Sequence, residues 1–524
     1  MKAFFTLLLV LIMPVVKAGV FDPNDLAQAY SYLNQIRQKA GMSTFTKNLR
    51  LESAALNHAN YLADNILTGH YESVDSAKYT GITPQNRTSF TGYRSLLISE
   101  NVSSGNTTGI RSVDGLMSAI YHRLAFLDFT KTEIGVGIAK NVKSKHNAYV
   151  YNMGNAGFNH LCKTPSISNE SRYYSKICNP NINIPAAEFD REKLLVLSGN
   201  NKIVVWPTNN DKNVAPAFFE ESPDPLPDLA VSGFPISLQF NPLNFDNVKI
   251  EKFQLYNDSD NIEIVNTRLL SKETDPNRRL TALQYALFPL ERLEWNTWYR
   301  VEIKYIHEAK LENLVWRFRT KNLNLPLFKL NGNGNVINIP PNTSAIAIYI
   351  PPTNTHPKIG KLSYSYDSNM KVAVKYEDSN TLLIIVTGKI GQEASFRFSG
   401  KRKFRIKIKS NVSKICEPAI LTANMDLYIP NIRYKPVANQ KSIKIWADLH
   451  LVDKKDMIFK VHNFGSPTIG LCKSANLSSE PIIHIPHVYY VSANNNKPKI
   501  ISLYLKHLGQ LKFQVVNKEV FVIF

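Results

Sequence analysis

The chain has 524 residues, of which 44% are hydrophobic, and its 62 Lys and Arg against 42 Asp and Glu give a net charge of +20. Such a length excludes a single ordinary core and calls for several domains of about 100–200 residues each, while the apolar content excludes a disordered polyelectrolyte. The cationic excess is spread along the chain and favours anionic partners such as envelope polymers or lipids; it gives no reason to expect specific nucleic-acid recognition.

Residues 1–18, MKAFFTLLLVLIMPVVKA, carry an early Lys, an apolar run from Ala3 to Val16 and a small residue at Ala18. This is the pattern of a secretory signal peptide cleaved after Ala18, and the run falls short of the ~20 residues a bilayer crossing needs. The mature protein is therefore expected to be secreted or periplasmic, with no transmembrane span. A first helix is predicted from Pro23 and Asp25, with Leu26, Ala29, Tyr30, Leu33 and Ile36 at helical spacing and Gly41 as its C-cap. A second, NLRLESAALNHANYLADNIL, ends near Gly69 with His70 just beyond it; His58 falls on its apolar side and reads as a core histidine. Further on come Ser99-Glu100-Asn101, a helical stretch containing His122-Arg123, and EIGVG from Glu133 to Gly137.

Taken in order, LNxIRxxAG (Leu33 to Gly41), AALNHANYL with a histidine shortly after (Ala54 to His70), SEN (Ser99 to Asn101), the His122-Arg123 helix and EIGVG resemble the CAP superfamily of cysteine-rich secretory, antigen 5 and pathogenesis-related proteins, in its bacterial branch. The resemblance implies an α/β/α sandwich over residues 19–180 with a cleft lined by His70, Glu100 and His122. It also implies a second acidic cleft residue, for which Glu72 and Asp114 are the candidates; Arg123 could pair with a carboxylate or face an anionic ligand. Two neutral imidazoles with a carboxylate nearby suit an open zinc site. Glu100 could then act as general base in a metal-dependent hydrolase. The familiar rim around the later histidine is replaced by Leu116-Met117 and Ile120-Tyr121, so relatives' ligand preferences do not carry over. There is no HExxH or GxSxG, and no cysteine precedes Cys162, which excludes a cysteine nucleophile in this region.

Cys162 lies close to Cys178, and Cys416 and Cys472 lie far from both. Two local disulfides are the simplest pairing, although spacing alone leaves the other connectivities open. Residues 181–213 read as a Pro-rich junction. After it, short strands separated by turns occupy 214–321, and together with EESPDPLPD they resemble bacterial immunoglobulin-like modules. Alternation of Trp298, Arg300, Glu302 and Lys304 with Tyr299, Val301, Ile303 and Tyr305 predicts a sandwich strand with one wet face. Further β-rich domains are expected at 322–412 and 413–524. In the first of these, Lys403, Arg405, Lys407 and Lys409 alternate with Phe404, Ile406 and Ile408, predicting a strand that is cationic on one side. His484 and His487, in IIHIPHVYY, have no identifiable companions and read as loop or strand histidines.

The fold class expected is α+β, an N-terminal α/β/α sandwich followed by all-β sandwich-like modules. The function expected is binding: an exported envelope or extracellular protein whose cleft takes a metal, a lipid or another small hydrophobic ligand. A secreted metal-dependent hydrolase of peptide or wall material is the alternative from another class, and an adhesin with a vestigial cleft is a third.

Overall fold

The computed structural model describes residues 23–409, apart from 142–143, 145, 165–170, 259–260, 331–333, 342, 344 and 354, and beyond them the backbone of strands between 419 and 521. The signal peptide, Cys416 and Cys472 lie outside the described residues, as do the side chains of His484 and His487. The chain is α+β, as expected.

Helix α1 (Pro23–Lys39) runs to Gly41, whose φ of +74° supplies the left-handed exit predicted for it. After β1 (Thr46–Lys47) comes α2 (Leu49–Asn65), capped by Asn48, whose side chain accepts from Arg50 N and Leu51 N. Then follow α3 (Pro84–Phe90), β2 (Ser99–Ser104), α4 (Gly109–Ser118), α5 (Ile120–Phe126), β3 (Glu133–Lys140), β4 (Asn147–Gly154) and α6 (Ala156–Leu161). The strands form one sheet in the order β1-β3-β4-β2, which leaves β2 at an edge. Period-two alternation assigns its faces. Ile134, Val136, Ile138, Tyr149, Tyr151 and Met153 join the core under α1, α4 and α5, while Ala139, Ala148 and Val150 pack with Ala55, Ala59 and Leu62 of α2. The glycines of EIGVG lie on the α2 side: a Cβ on Gly135 would come within 1.9 Å of Glu52 N, and one on Gly137 within 2.2 Å of Ala55 C. The motif is thus the footprint of a helix backbone lying directly on a strand.

Cys162 and Cys178 form a disulfide that closes the loop after α6. A short hairpin, β5 (Tyr173–Tyr174) with β6 (Ile184–Pro185), leads into α7 (Ala186–Ser198). The stretch 181–213, expected as a Pro-rich junction, is built from regular elements. Pro185 stands at the N-cap of a regular helix, and residues 203–214 already contribute the first strands of the next module. The composition AAEFDREKLLVLS favours helix, and a proline at a helix start breaks nothing.

That module comprises β7 (Ile203–Trp206), β8 (Asp211–Val214), β9 (Ala217–Phe218), β10 (Ser232–Gly233), β11 (Ile236–Phe240), β12 (Lys249–Asn257), β13 (Ile262–Glu263), β14 (Thr267–Leu270), β15 (Gln284–Pro289), β16 (Trp298–His307) and β17 (Lys310–Thr320). Apart from the small β9–β10 ladder, they form two sheets, ordered β14-β15-β11-β7 and β13-β12-β16-β17-β8. The sheets face one another, with Phe240 of β11 edge-on to Tyr305 of β16 at 5.1 Å between centroids. β16 alternates as predicted, Tyr299, Val301, Ile303 and Tyr305 being buried. Residues 322–409 build a further pair of four-stranded sheets around Ile346, Ile348, Leu382, Phe396 and Phe404, and strands between 419 and 521 form an eight-stranded sheet. In the first of these, Phe404, Ile406 and Ile408 point inward while Lys403 and Arg405 are exposed, and Glu393 pairs with Arg405 at 2.9 Å.

The N-terminal domain and the following sandwich share a core. On β11, Leu238 and Phe240 face the sandwich interior, and Ser237 and Gln239 face the N-terminal domain: Gln239 Nε2 donates to Leu127 O at 3.4 Å. Arg123 crosses this boundary fully buried. Its Nε donates to Met117 O (2.6 Å), and its Nη1 donates to Pro235 O (2.7 Å) and Ser237 Oγ (3.2 Å), with the guanidinium over Phe234. The guanidinium, expected to pair with a carboxylate or face an anionic ligand, is held here by backbone carbonyls of both modules, with the charge of Glu221 nearby. Arg123→Met should strand those carbonyls at about 1–3 kcal/mol each and lower the midpoint of the thermal transition that unfolds residues 23–321 by several degrees, measured by calorimetry on the full chain.

Candidate functional site

His58 sits in the middle of α2 with no exposed surface, and both its ring nitrogens face acceptors: Nδ1 lies 2.8 Å from Glu72 Oε1 and Nε2 lies 2.9 Å from Gly69 O. Satisfying both requires two N–H donors, so the ring is positively charged in this arrangement. Its hold on Gly69 O fixes the turn by which the chain leaves α2, through Ile66 (φ +56°) and Gly69 (φ +109°). His70 follows directly. Its Nδ1 lies 3.0 Å from Glu100 Oε1, and its side chain is 37% exposed.

Glu100 is on edge strand β2, opposite Asn152 of β4, and therefore faces α2. Its carboxylate is buried and saturated. Arg87 Nη2 donates to both oxygens at 2.8 Å, His70 donates to Oε1, and Asn152, its amide turned so that nitrogen faces the carboxylate, donates to Oε2 at 2.9 Å. Arg87 is itself fully buried, and its Nη1 donates to His70 O (3.0 Å) and Gly81 O (3.2 Å). It is placed by α3, which starts at a capping box between Thr83 and Asn86 with Pro84 in the first turn. Glu72 completes the cluster, accepting from His58, Thr80 N (2.6 Å) and Gly81 N (3.2 Å). Two carboxylates, one guanidinium and one imidazolium balance in charge, which is what allows them to be buried together.

Burial pushes the Glu100 carboxyl up, but the His70 hydrogen bond and the charges of Arg87 and His58 outweigh it and hold the group below its ordinary value. The same balance holds for Glu72: burial raises it, and the hydrogen bonds from His58 and Thr80 N and the charge of Arg87 bring it below.

His122 lies on α5, on the other side of β2. Asn101, next to Glu100 on the strand but facing the opposite way, donates from Nδ2 to His122 O at 2.8 Å, so consecutive residues of β2 secure both histidines. The His122 ring is 15% exposed, and its Nδ1 lies 2.9 Å from Glu221 Oε2, a carboxylate from the sandwich module. Among the described residues, neither His70 nor His122 has a hydrogen-bond partner on Nε2.

The structure thus brings His70, Glu100 and Glu72 into one network and places His122 beside it across β2. Asp114 is elsewhere, on the exposed side of α4, accepting from Tyr32 OH of α1 at 2.6 Å. Ser118 Oγ is turned back onto Gly115 O at 2.6 Å. Sequence reasoning missed Arg87, Asn152 and Glu221. The Thr-Pro-x-Asn helix start just before Arg87 was a usable signal; nothing local announced the other two. As for a metal, the donor set offers two imidazole Nε2 atoms, each on a ring anchored through Nδ1 by a carboxylate, the outer-shell pattern of ligating histidines. No group of three or more His, Cys, Asp or Glu side chains converges among the described residues. Two imidazoles alone do not make a closed structural site; the side chains that could hold a metal are His70 and His122 through Nε2.

Because the folded Glu100 and Glu72 carboxyls lie below the ordinary 4.5, the stability they contribute is fully present above pH 4.5 and is lost as pH falls through their lower folded values. Glu100→Gln leaves Arg87 buried without its partner and should cost about 3–5 kcal/mol at pH 7. Urea unfolding should show the difference between variant and wild type shrinking as pH falls below 4.5.

The profile of the family described as the cysteine-rich secretory protein family, CAP, matches residues 30–153. Two solved structures are similar in part. One is an outer surface protein of Borrelia burgdorferi, 21% identical, over 26% of this chain and 96% of that one, with a TM-score of 0.23. The other is an extracellular protein of Bacillus anthracis containing an SCP domain, 20% identical, over 26% of this chain, with a TM-score of 0.22; the match spans 45% of that protein's length. No curated protein matches the chain. Over residues 30–153 the chain carries a CAP domain.

Proposed function

We propose that the protein is an exported binding protein whose CAP cleft takes its ligand through the Nε2 atoms of His70 and His122. The observation that carries this reading is the pairing of each ring's Nδ1 with a buried carboxylate, Glu100 for one and Glu221 for the other. A carboxylate only accepts, so each neutral ring keeps its proton on Nδ1 and offers Nε2 as a lone pair. Such a pair suits a divalent transition metal, zinc being the commonest choice for imidazole donors, with His70 and His122 as its protein ligands. Bound there, zinc would supply a Lewis-acidic centre with positions open to a small ligand.

A hydrolase is the weaker reading. Glu100 would be its general base, yet the carboxylate is 1% exposed and both oxygens are occupied by Arg87, His70 and Asn152. Its geometry is that of a residue orienting His70. Export is supported by the leader-like N-terminus and by the Cys162–Cys178 disulfide, a bond typical of oxidising compartments. No described helix is long and apolar enough to cross a membrane. The charge of +20 and the exposed Lys403 and Arg405 support approach to anionic lipid or envelope polymer.

Zinc titration of the metal-stripped protein by calorimetry should show binding in the wild type and its loss in His70→Ala and in His122→Ala; equally poor binding by all would overturn the metal reading. Turnover of a peptide or wall substrate that needs both zinc and Glu100 would decide for the hydrolase instead. In a separate measurement, binding to vesicles of anionic lipid should weaken steeply once ionic strength passes about 0.15 M, where the Debye length is ~8 Å. Binding indifferent to salt would remove the electrostatic role.

A further inference from the structure

Ala119, the N-cap of helix α5, has no side-chain oxygen with which to cap it. Its exposed first-turn donors are met from another module, about a hundred residues along the chain. Glu221 Oε1 accepts from Ile120 N at 2.6 Å, and Oε2 accepts from Tyr121 N at 3.2 Å and from His122 Nδ1 at 2.9 Å. One carboxylate therefore caps the helix and sets the ring that the helix carries. It is 1% exposed, so these bonds are shielded from water.

The rest of the helix end is held by the same module. Ile120 and Leu124 are buried against Phe218, Leu226, Ala286 and Phe288. Tyr121 OH bonds Asp275 and accepts from Asn277 Nδ2 (3.1 Å), and that amide also donates to Asp224 O (2.7 Å), tying the turn after Glu221 to the turn around Asp275. Within the CAP domain, among the described residues, the side-chain hydrogen bond to His122 comes from Asn101 and goes to the backbone carbonyl, so it fixes neither the angle nor the tautomer of the ring. Of the acidic residues expected to complete the cleft from within the domain, Glu72 is spent on His58 and Asp114 on Tyr32.

We propose that the CAP cleft is a two-module site, in which Glu221 of the sandwich is the positioning residue for His122 and does for it what Glu100 does for His70. The sandwich is then more than a spacer. It decides which nitrogen of His122 can meet a ligand, and through Arg123 and the socket around Ile120 it is packed so that it cannot withdraw without releasing that ring. Coupling of this kind is reciprocal: a ligand that needs His122 Nε2 as a lone pair also tightens the contact between the modules. The inference rests on the reading of His122 as a ligand-binding residue, but its central claim concerns the ring itself and can be tested without a ligand.

The experiment uses the full chain labelled with 15N-histidine, at mildly alkaline pH, with the His122 signals identified by their loss in His122→Gln. In the wild type His122 should be the Nδ1–H tautomer. In Glu221→Gln the amide oxygen can still cap α5, so the thermal midpoint should stay close to wild type, while the amide nitrogen can only donate to Nδ1 and should move the proton to Nε2. Zinc affinity should fall at least about tenfold in the same variant. An unchanged His122 tautomer in a folded Glu221→Gln would overturn the proposal, whatever zinc does. Wild-type protein that binds no zinc would sink the metal reading alone and leave the tautomer to decide this one. Should Glu221→Gln fail to fold, Glu221→Asp, which keeps the charge, is compared with Glu221→Asn in its place, and equal tautomers in those two would overturn the proposal.

Discussion

The buried contact between Arg87 and Glu100 is what the α2 side of the N-terminal domain hangs on. Arg87 comes from a short helix in the excursion between α2 and β2, and Glu100 from an edge strand. Joining them binds that excursion, the turn carrying His70 and the sheet into one body, because the same guanidinium also holds His70 O and Gly81 O. Neither charge would survive burial alone. His58 and Glu72 neutralise what remains, and each also fastens backbone, at Gly69 O and at the amides of Thr80 and Gly81. A residue that reads as a core histidine and one that reads as a cleft acid are thus two halves of one buried pair beneath the site.

A second constraint acts across the modules. Strand β11 is buried on both sides, and its alternation Ile236, Ser237, Leu238, Gln239, Phe240 separates an apolar face for the sandwich from a polar face for the CAP domain. An outer sheet face that carries Ser and Gln where water would be expected is a docking face with its hydrogen bonds already assigned. Arg123 uses one of them. The adjacent pair His122-Arg123 therefore meets the sandwich at two points, the histidine at Glu221 and the arginine at Pro235 and Ser237.

Much of this was legible before any coordinates. The helices α1 and α2 announced themselves by periodicity and caps, and β16 by strict alternation, because both signals are local. The order of motifs pointed to His70, Glu100 and His122. What was illegible was set by distance along the chain. Glu221 lies ninety-nine residues from His122, inside EESPDPLPD, where it reads as part of an immunoglobulin-like module and not as a partner of the N-terminal domain. In the stretch 181–213 the helix is less legible, because Pro185 signals a turn and a helix start alike. Choosing between Glu72 and Asp114 also needed three dimensions, since their position in the chain says nothing about which side of the sheet they reach.

Gly135 and Gly137 give the site a tolerance measured in single atoms. Because α2 rests on bare backbone there, it lies closer to the sheet than a residue with a Cβ would allow, and His58 and Glu100 stand on the two surfaces so apposed. A methyl group at either glycine would wedge the layers apart and pull the two ends of the charge network away from each other without touching a single ionisable residue. EIGVG, one of the ordered motifs of the N-terminal region, works as the gauge that sets the depth at which the charges are buried.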